Sequence, residues 1–248
     1  MNDAAPESTL PYPPIHKDKK FVVLSDWDGT ITTDGFREML ASVVANGHSF
    51  EECKEILRKN IKLDPGFKEF YAWCKANDIP VIIVSSGMTP TIRAVLTNLV
   101  GEESANEIEI ISNDVELRPD GTWGIKFRHP TRRVKMLLIT YLAEQSFAYL
   151  VVSAMTNLKP FYPIAIWNTL QHYFSLEMAY QVNMSAAKHA DVLFVKEKEY
   201  GENDLAAYCT KLGIKHILFK DFSNALPIVQ SVVKGEKTVQ EALNIGHA

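Results

Sequence analysis

The stretch FVVLSDWDGTIT, residues 21–32, joins a short apolar run to two aspartates, Asp26 and Asp28, that lie one residue apart. A continuous apolar run of this length is typical of a central strand in a parallel sheet that is covered on both faces. Gly29 and Thr30 follow, and a lone Asp-Gly pair would indicate only a turn at the end of a strand. Two carboxylates at positions i and i+2 of an extended segment project to the same side, so both can serve one reacting centre.

The rest of the chain alternates short apolar runs with segments of helical spacing. A second buried strand is predicted at IPVIIVSSG, residues 79–87, and a β-hairpin at 108–127, where alternation continues on both sides of a Pro-Asp-Gly turn. Further strands are predicted at 190–195 and 216–219. Strands that alternate with helices predict an α/β, doubly wound core. The domains predicted from this pattern are a core at 20–30 and 79–248 and a small helical cap at 31–78.

Composition sets the class of protein. The 248 residues are 46% apolar and 23% charged, with a net charge of −4, which is ordinary for a globular protein and carries no basic excess for nucleic acid. No apolar run approaches the roughly 20 residues that span a bilayer. Residues 1–19 are polar and Pro-rich, which predicts a flexible tail rather than a signal peptide. A cytoplasmic location with reduced, partly buried thiols is predicted from three widely spaced cysteines: Cys53, Cys74 and Cys209.

The predicted strand ends suit phosphoryl transfer. Ligands of open α/β sheets bind beyond the carboxyl ends of the strands. Asp26 would attack phosphorus as a nucleophile, and Asp28 would act as the general acid/base. A Mg²⁺ ion held at Asp26 and Asp28 would offset the repulsion between carboxylate and phosphate. Phosphate oxygens would meet hydroxyl and backbone N–H groups at the ends of the two strands, at Gly29, Thr30, Ser85, Ser86 and Gly87.

The segments DWDGT and VIIVSSGM resemble motifs one and two of the haloacid dehalogenase (HAD) superfamily of phosphatases. The chain is most similar to the phosphoserine-phosphatase-like branch, and within it to fungal proteins of the 2-hydroxy-3-keto-5-methylthiopentenyl-1-phosphate phosphatase type, over residues 20–128 and 184–240. The resemblance implies a Rossmann-like core, Mg²⁺, an aspartyl-phosphate intermediate and a small phosphorylated metabolite as substrate. It also implies that Asp26 is the nucleophile, that Asp28 is the acid/base whose backbone carbonyl ligates Mg²⁺, and that Ser85 binds phosphate.

Two further motifs of these relatives are absent from the chain. One is Gly-His-Asp-Lys-Ser, whose lysine neutralises the nucleophile and the phosphate. The other is Gly-Asp-Gly-x-Ser-Asp, whose acidic residues hold the metal just before a segment that resembles MSAAKHAD, residues 184–191. In this chain FSLEMAYQVN, residues 174–183, stands at that place. The whole stretch 134–183 is unlike the family.

Both absent motifs can be recovered from one alternative reading frame. Codons permitted for residues 152–159 give Phe-Gly-His-Asp-Lys-Ser-Gln when the frame is shifted. Codons permitted for 175–181 give Phe-Gly-Asp-Gly-Val-Ser in the same shifted frame, and those for 169–174 permit an apolar run suited to a strand. We therefore hypothesise that residues from about 150 to 182 are translated out of frame, for instance through a retained intron that begins near 134–135. The alternative is a genuine divergent insertion.

Other interpretations of the chain stay open. It could be a catalytically impaired HAD-like protein that binds ligands or partners, because the lysine and the acidic metal ligands are missing. A dehalogenase or a phosphomutase on the same fold is a further alternative, and Asp28 argues against the dehalogenase because cleaving carbon–halogen bonds needs no acid there. The alternating charges at 196–199 are interpreted as a solvated loop. The specific substrate and the oligomeric state are not predicted.

Overall fold

A computed structural model describes residues 10, 16, 18–33, 36–128, 148–153, 187, 190–197 and 203–245, with only the backbone at 36–38, 148–153 and 245. Of the stretch 134–183, which the sequence marks as unlike the family, only 148–153 lies within the described residues. The positions at which the absent motifs can be recovered therefore lie almost entirely outside them. No helix in the described parts of the chain is long and apolar enough to cross a bilayer.

The described residues form a seven-stranded sheet in the order β4-β3-β2-β1-β5-β6-β7. All neighbouring pairs are parallel except β3 and β4, which are antiparallel and form the predicted hairpin. The doubly wound α/β prediction is therefore confirmed. The strands are β1 (Phe21–Ser25), β2 (Val81–Met88), β3 (Glu109–Leu117), β4 (Trp123–Lys126), β5 (Ala148–Ser153), β6 (Val192–Lys196) and β7 (Ile217–Phe219).

Strand β1 lies where the order of the sheet reverses. After β1 the chain builds β2, β3 and β4 on one side, and it then returns to build β5, β6 and β7 on the other. The helices that follow two neighbouring strands on opposite sides of such a point diverge and leave a crevice, which is where ligands of open α/β sheets bind. The residues directly after β1 are Asp26 and Asp28. The fold therefore places the two aspartates at the point of the sheet where ligands of such folds bind.

The described helices lie between the strands or after the last one, as the alternation of strands and helices predicts. In the α2 helix, Ser49 and Glu52 form a capping box: the Ser49 hydroxyl accepts from the Glu52 backbone N–H at 3.3 Å, and the Glu52 carboxylate accepts from the Ser49 backbone N–H at 2.9 Å. The described helices are α1 (Phe36–Ala45), α2 (Phe50–Asn60), α3 (Phe67–Ala76), α4 (Thr89–Val100), α5 (Glu102–Glu107), α6 (Asp204–Lys211), α7 (Phe222–Val233) and α8 (Val239–Ile245).

Apolar side chains cover both faces of the sheet. Val23 of β1 points into a cluster that includes residues of α1 to α4 and of α7. Val22 and Leu24, on the opposite face of the same strand, pack in a second cluster with Leu205 and Cys209 of α6. Because successive side chains of a strand alternate between faces, burial on both faces requires an unbroken apolar run. This explains why the stretch FVVL contains no polar residue.

Two stretches of backbone between β1 and β2, at 31–33 and 62–64, are joined by hydrogen bonds. Thr33 N donates to the Lys62 carbonyl at 3.0 Å, and Asp64 N donates to the Ile31 carbonyl at 2.8 Å. Helices α1 and α2 lie between these paired segments along the chain. The α3 helix packs against α7, where the Phe70 and Phe222 ring centroids are 4.9 Å apart. The predicted boundary of the cap, 31–78, stays a proposal.

The described residues of the predicted N-terminal tail contact the core. His16 Nε2 lies 2.6 Å from a carboxylate oxygen of Glu109, at the start of β3. Lys19 Nζ forms an ion pair with Asp78 at 2.6 Å, just before β2. The carboxylate of Asp78 is largely exposed, so the ion pair with Lys19 contributes little to stability. The two contacts join the chain before β1 to the starts of β2 and β3.

Strand β5 is a feature that sequence analysis did not predict. Its residues pair with β1 in a parallel register that brings Ser25 opposite Val152. The run AYLVVS has the β-branched and aromatic composition of a strand. It was not recognised because it lies in the stretch 134–183, which has no counterpart in the family pattern and no clear periodicity. The strand predicted from the shifted frame, at 169–174, lies outside the described residues.

We expect the Gly66→Ala variant to be destabilised by about 2–5 kcal/mol, as strain in the left-handed region and forced backbone movement combine. Gly66 has φ +85°, and a Cβ built there would overlap the backbone N of Ser223 and lie 2.9 Å from its Cα. Gly121→Ala is the matched control, because Gly121 has φ +82° with nothing within 4 Å of a built Cβ. Urea unfolding of both variants measures the difference, and equal losses would contradict the close contact between the start of α3 and the start of α7.

Candidate active site

A single tight turn follows β1 and carries the two aspartates. The Thr32 hydroxyl and the Thr32 backbone N–H both donate to the Trp27 carbonyl, each at 3.1 Å, and so close the turn. Asp28 is extended, with ψ 123°, and Gly29 has φ 72°. A positive φ of this size favours glycine because a side chain would clash with the following carbonyl. Gly29 is therefore the residue that lets the chain turn away from the sheet edge directly after Asp28.

The two aspartates of this turn are less buried than their neighbours. Asp26 and Asp28 are partly exposed, whereas Trp27 between them and Thr30 after them are completely buried. The indole of Trp27 belongs to the main apolar cluster. Trp27 is anchored inward, and the two partly exposed aspartates lie on either side of it along the chain. The i, i+2 spacing of the sequence thus brings two aspartates to one edge of the sheet, directly after β1.

The end of β2 lies beside the end of β1. Ser25 pairs with Ile83, so Asp26 and Ser85 follow at neighbouring strand ends. The Ser85 hydroxyl accepts a hydrogen bond from the Gly87 backbone N–H at 3.1 Å. A Cβ at Gly87 would meet the Ser85 Oγ at 3.3 Å, which is closer than most real contacts. The structure therefore places the two predicted halves of the site next to each other.

Polar residues within β3, where its parallel pairing with β2 ends, support this part of the site, and sequence analysis did not single them out. The Asn113 side chain donates to the Ser86 carbonyl at 2.8 Å and accepts from the Arg128 backbone N–H at 3.2 Å. The Arg128 guanidinium is buried and donates through Nε to the Ser112 carbonyl at 2.9 Å. The sequence signal was present, because Ser112 and Asn113 interrupt an apolar strand at the same sheet edge.

Lys196 is a second residue that sequence analysis missed, and its interpretation as part of a solvated loop is wrong. It is the last residue of β6, its side chain is 13% exposed, and its Nζ forms an ion pair with Asp64, whose side chain is 1% exposed. Lys196 Nζ also donates to the Thr30 carbonyl at 3.1 Å. Burial raises the pKa of the Asp64 carboxyl, and the hydrogen bond from Lys196 opposes that rise. The Lys196 side chain can be buried beside Asp64 because the two opposite charges stabilise each other.

The cysteines are poor candidates for a nucleophile. Cys53, Cys74 and Cys209 are all buried, as predicted. Burial raises the pKa of Cys53 and of Cys74 to about 12, and that of Cys209 to about 11, because it disfavours the charged thiolate. A thiol with so high a pKa is almost entirely protonated at neutral pH and reacts slowly.

Few residues in the described part of the chain could bind a metal ion. No group of three or more His, Cys, Asp or Glu side chains that could hold a metal occurs among the described residues. Strand β5, on the other side of β1, is followed by the sequence AMTNLK, which contains no acidic residue. Asp26 and Asp28 are nevertheless suitable ligands, because Mg²⁺ is commonly held by one or two carboxylates together with substrate phosphate and water.

Comparisons with known proteins decide the family. A family model described as haloacid dehalogenase-like hydrolase matches residues 34–149. Polyol phosphate phosphatase PYP1 of Saccharomyces cerevisiae is 37% identical over 212 residues, which cover 84% of this chain and 78% of that protein. The chain belongs to the haloacid dehalogenase-like hydrolase family. The resemblance predicted from DWDGT and VIIVSSGM is therefore confirmed.

Further relatives of this HAD-family chain agree with the assignment. Pdp3-interacting factor 1 of Schizosaccharomyces pombe is 31% identical over 236 residues, covering 83% of this chain and 93% of that protein. Among solved structures, phosphoserine phosphatase from T. onnurineus in complex with NDSB-201 superposes with a TM-score of 0.53 at 13% identity, covering 86% of this chain and 96% of that one. At so low an identity the likeness shows the shared fold alone.

Proposed function

We propose that the chain hydrolyses phosphomonoesters of small metabolites, with Asp26 as the nucleophile and Mg²⁺ as the cofactor. The observation that carries the proposal is the position of Asp26 and Asp28 at the carboxyl end of β1, where the strand order reverses. Ser85, at the neighbouring strand end, supplies a hydroxyl for the same crevice. Membership of the HAD family and the name of the relative PYP1 support phosphatase chemistry at this site.

The first step is attack of a carboxylate oxygen of Asp26 on phosphorus. A new Asp26 O–P bond forms while the bond between phosphorus and the ester oxygen breaks, and the leaving alkoxide takes a proton from the carboxyl group of Asp28. The products of this step are the free alcohol and an aspartyl-phosphate. Splitting hydrolysis into two displacements in this way lowers the barrier of each. The spacing of the two aspartates suits the roles, because one must lie in line with phosphorus and the other must reach the leaving oxygen.

The second step releases phosphate. The Asp28 carboxylate, now deprotonated, removes a proton from a water molecule that attacks the aspartyl-phosphate. The bond between Asp26 and phosphorus breaks, the Asp26 carboxylate is restored, and inorganic phosphate leaves. Asp28 is protonated again and ready for the next ester. One residue thus serves first as acid and then as base.

The cofactor in this proposal would be held by Asp26 and Asp28. Bound there, Mg²⁺ would neutralise part of the negative charge that carboxylates and phosphate bring together. The Asp26 carboxylate and the Asp28 backbone carbonyl fit this role by their chemistry, since hard oxygen ligands are what Mg²⁺ prefers.

Phosphate oxygens would be met by donors from both strand ends. The Ser85 hydroxyl accepts from Gly87 N, and because a hydroxyl can accept and donate at once, its hydrogen can still be given to a phosphate oxygen. Gly29 and Thr30 would contribute backbone N–H groups. The Thr30 hydroxyl is buried and has no hydrogen-bond partner among the described residues. Any contact of Thr30 with phosphate is therefore proposed through its backbone.

The substrate class we propose is phosphorylated polyols. The relative PYP1 is named a polyol phosphate phosphatase, and the match to it covers most of both chains. The helices between β1 and β2 begin directly after the turn that carries the two aspartates. In this proposal they would contact the part of the substrate away from the phosphate. A polyol offers hydroxyl groups to such a surface and a primary phosphate to Asp26.

Release of inorganic phosphate tests the proposal. The full chain is incubated with an aryl phosphate, glycerol 3-phosphate, a hexitol phosphate and phosphoserine, each with Mg²⁺ and with EDTA in its place. We expect Mg²⁺-dependent release, fastest for the polyol phosphates. A phosphomutase would instead move phosphate between positions of the substrate without releasing it. A folded sample that releases no phosphate from any of these esters would contradict the proposal.

A second candidate function is a HAD-like protein with little or no catalysis that binds phosphorylated ligands. The observation that favours it is the absence from the chain of both Gly-His-Asp-Lys-Ser and Gly-Asp-Gly-x-Ser-Asp. Without a lysine opposite Asp26 and further acidic metal ligands, charge stabilisation at the crevice is reduced. Isothermal titration with glycerol 3-phosphate and Mg²⁺ separates the candidates, because this one predicts binding without turnover.

A further inference from the structure

Four parts of the chain meet at the buried carboxyl group of Asp64. Its Oδ2 forms an ion pair with Nζ of Lys196, the last residue of β6. Its Oδ1 accepts from the backbone N–H of Phe222, the first residue of α7, at 2.9 Å. Its own backbone N–H donates to the Ile31 carbonyl at 2.8 Å. Asp64 therefore connects the end of a core strand, the start of a core helix and the turn that follows β1.

The ammonium group of Lys196 extends this connection to the catalytic turn. Besides Asp64 it contacts the carbonyl of Thr30, at 3.1 Å. Thr30 directly follows Gly29, which has a left-handed conformation and no side chain, so its backbone dihedral angles are weakly restricted. A charge-assisted hydrogen bond at Thr30 thus restrains the peptide that follows Gly29.

We propose that Lys196, held by Asp64, is a positioning residue for the reaction, one that fixes the turn from Asp26 to Thr30 in its working conformation without touching the substrate. The inference rests on the phosphatase function proposed above. The backbone N–H groups of this turn and the carboxyl group of Asp28 act together only if the turn is held in place, and displacement of reacting groups by about 1 Å can cost about 10²-fold in rate.

Burial of the pair supports a role in specifying conformation. Two charges removed from water lose solvation, and a buried ion pair is often no more stabilising than apolar residues of similar volume. The Lys196–Asp64 pair reaches across 132 positions of sequence and ends on a backbone carbonyl of the turn. Fixing that carbonyl is something that an apolar pair could not do.

The test variant removes both charges together. Lys196→Met alone would leave Asp64 buried without its cation and would destabilise the fold. The double variant Lys196→Met/Asp64→Asn avoids this and keeps an amide oxygen that can still accept from Phe222 N. Lys220→Met is the matched control, because Lys220 follows the adjacent strand β7 at the same sheet edge and is exposed. Urea unfolding first establishes that both variants are folded.

Two readouts then decide the role of the pair. We expect amide hydrogen exchange of the peptide 26–33 to be at least about tenfold faster in the double variant, because the turn opens locally when its tether is lost. We expect kcat for an aryl phosphate to fall by about 10–100-fold while KM changes by less than about threefold, since positioning acts on the reaction more than on binding. Lys220→Met should match the unaltered protein in both.

Each other outcome has a definite meaning. A folded double variant with unchanged exchange and unchanged kcat overturns the proposal. Faster exchange with unchanged kcat overturns it too, because the pair would then hold the turn without serving the reaction. A fall in kcat with unchanged exchange would assign Lys196 to the reacting centre instead. If the unaltered chain hydrolyses no phosphate ester, the proposed function fails, and the exchange result alone decides whether the pair holds the turn.

Discussion

The Asp26→Asn variant should release phosphate from an aryl phosphate at least about 10³-fold more slowly than the unaltered chain. An amide oxygen is a far weaker nucleophile than a carboxylate, so the covalent step fails while the shape of the residue is retained. The turn around Asp26 is held by Trp27 and Thr32, not by the carboxyl group alone, so the fold should survive the change. Initial rates at saturating Mg²⁺ measure the effect.

A control and a second readout make the result specific to the nucleophile. Asp78→Asn is the same substitution at an exposed residue, in the ion pair with Lys19, and it should leave the rate within about twofold because exposed ion pairs contribute little. Asp78 has φ 57°, a conformation that asparagine tolerates. Rapid acid quenching of the unaltered chain with labelled substrate should trap label on the protein, and Asp26→Asn should trap none. Label retained in that variant would place the nucleophile elsewhere.

The parts of the fold that could be predicted from sequence are those in which the local pattern of apolar and polar residues indicates which side chains are buried. The strands β1 and β2 are buried on both faces, so an unbroken apolar run identified them without any knowledge of their partners. The hairpin of β3 and β4 was predictable because apolar and polar residues alternate on both sides of a turn. The two aspartates were predictable for the same reason, because their spacing and their place after a strand are local properties.

The parts that could not be predicted depend on residues distant in sequence. Nothing near Lys196 indicates that its partner is Asp64, and a charged residue at the end of a strand is more often solvated. The contact of Asn113 with the Ser86 carbonyl likewise exists only because β2 and β3 are neighbours in the sheet. Both contacts join residues next to the candidate site to residues distant in sequence, and about such pairs sequence patterns carry least information.

The hypothesis of a shifted reading frame predicts a large difference between two proteins. The stretch from about 150 to 182, read in the shifted frame, supplies the lysine of Gly-His-Asp-Lys-Ser and the acidic residues of Gly-Asp-Gly-x-Ser-Asp, two motifs that the printed chain lacks. In the printed chain the crevice has Asp26, Asp28 and Ser85 but no described residue in those two roles. Removing a single preorganised electrostatic group typically costs about 10²–10³-fold in kcat. We therefore expect the protein with the restored frame to be at least about 10²-fold faster.

Sequencing the spliced transcript across codons 128–190 identifies the protein to compare. We expect a message whose translation carries Gly-His-Asp-Lys-Ser and Gly-Asp-Gly-x-Ser-Asp in that order, and both this protein and the printed chain are then assayed with glycerol 3-phosphate and Mg²⁺. Asp26→Asn in each background shows that the activities arise at the same crevice. A transcript that encodes the printed chain, with no shorter form, would contradict the frame hypothesis. The stretch would then be a genuine insertion, and the activity of the printed chain would decide between a phosphatase that works without those motifs and a protein that only binds.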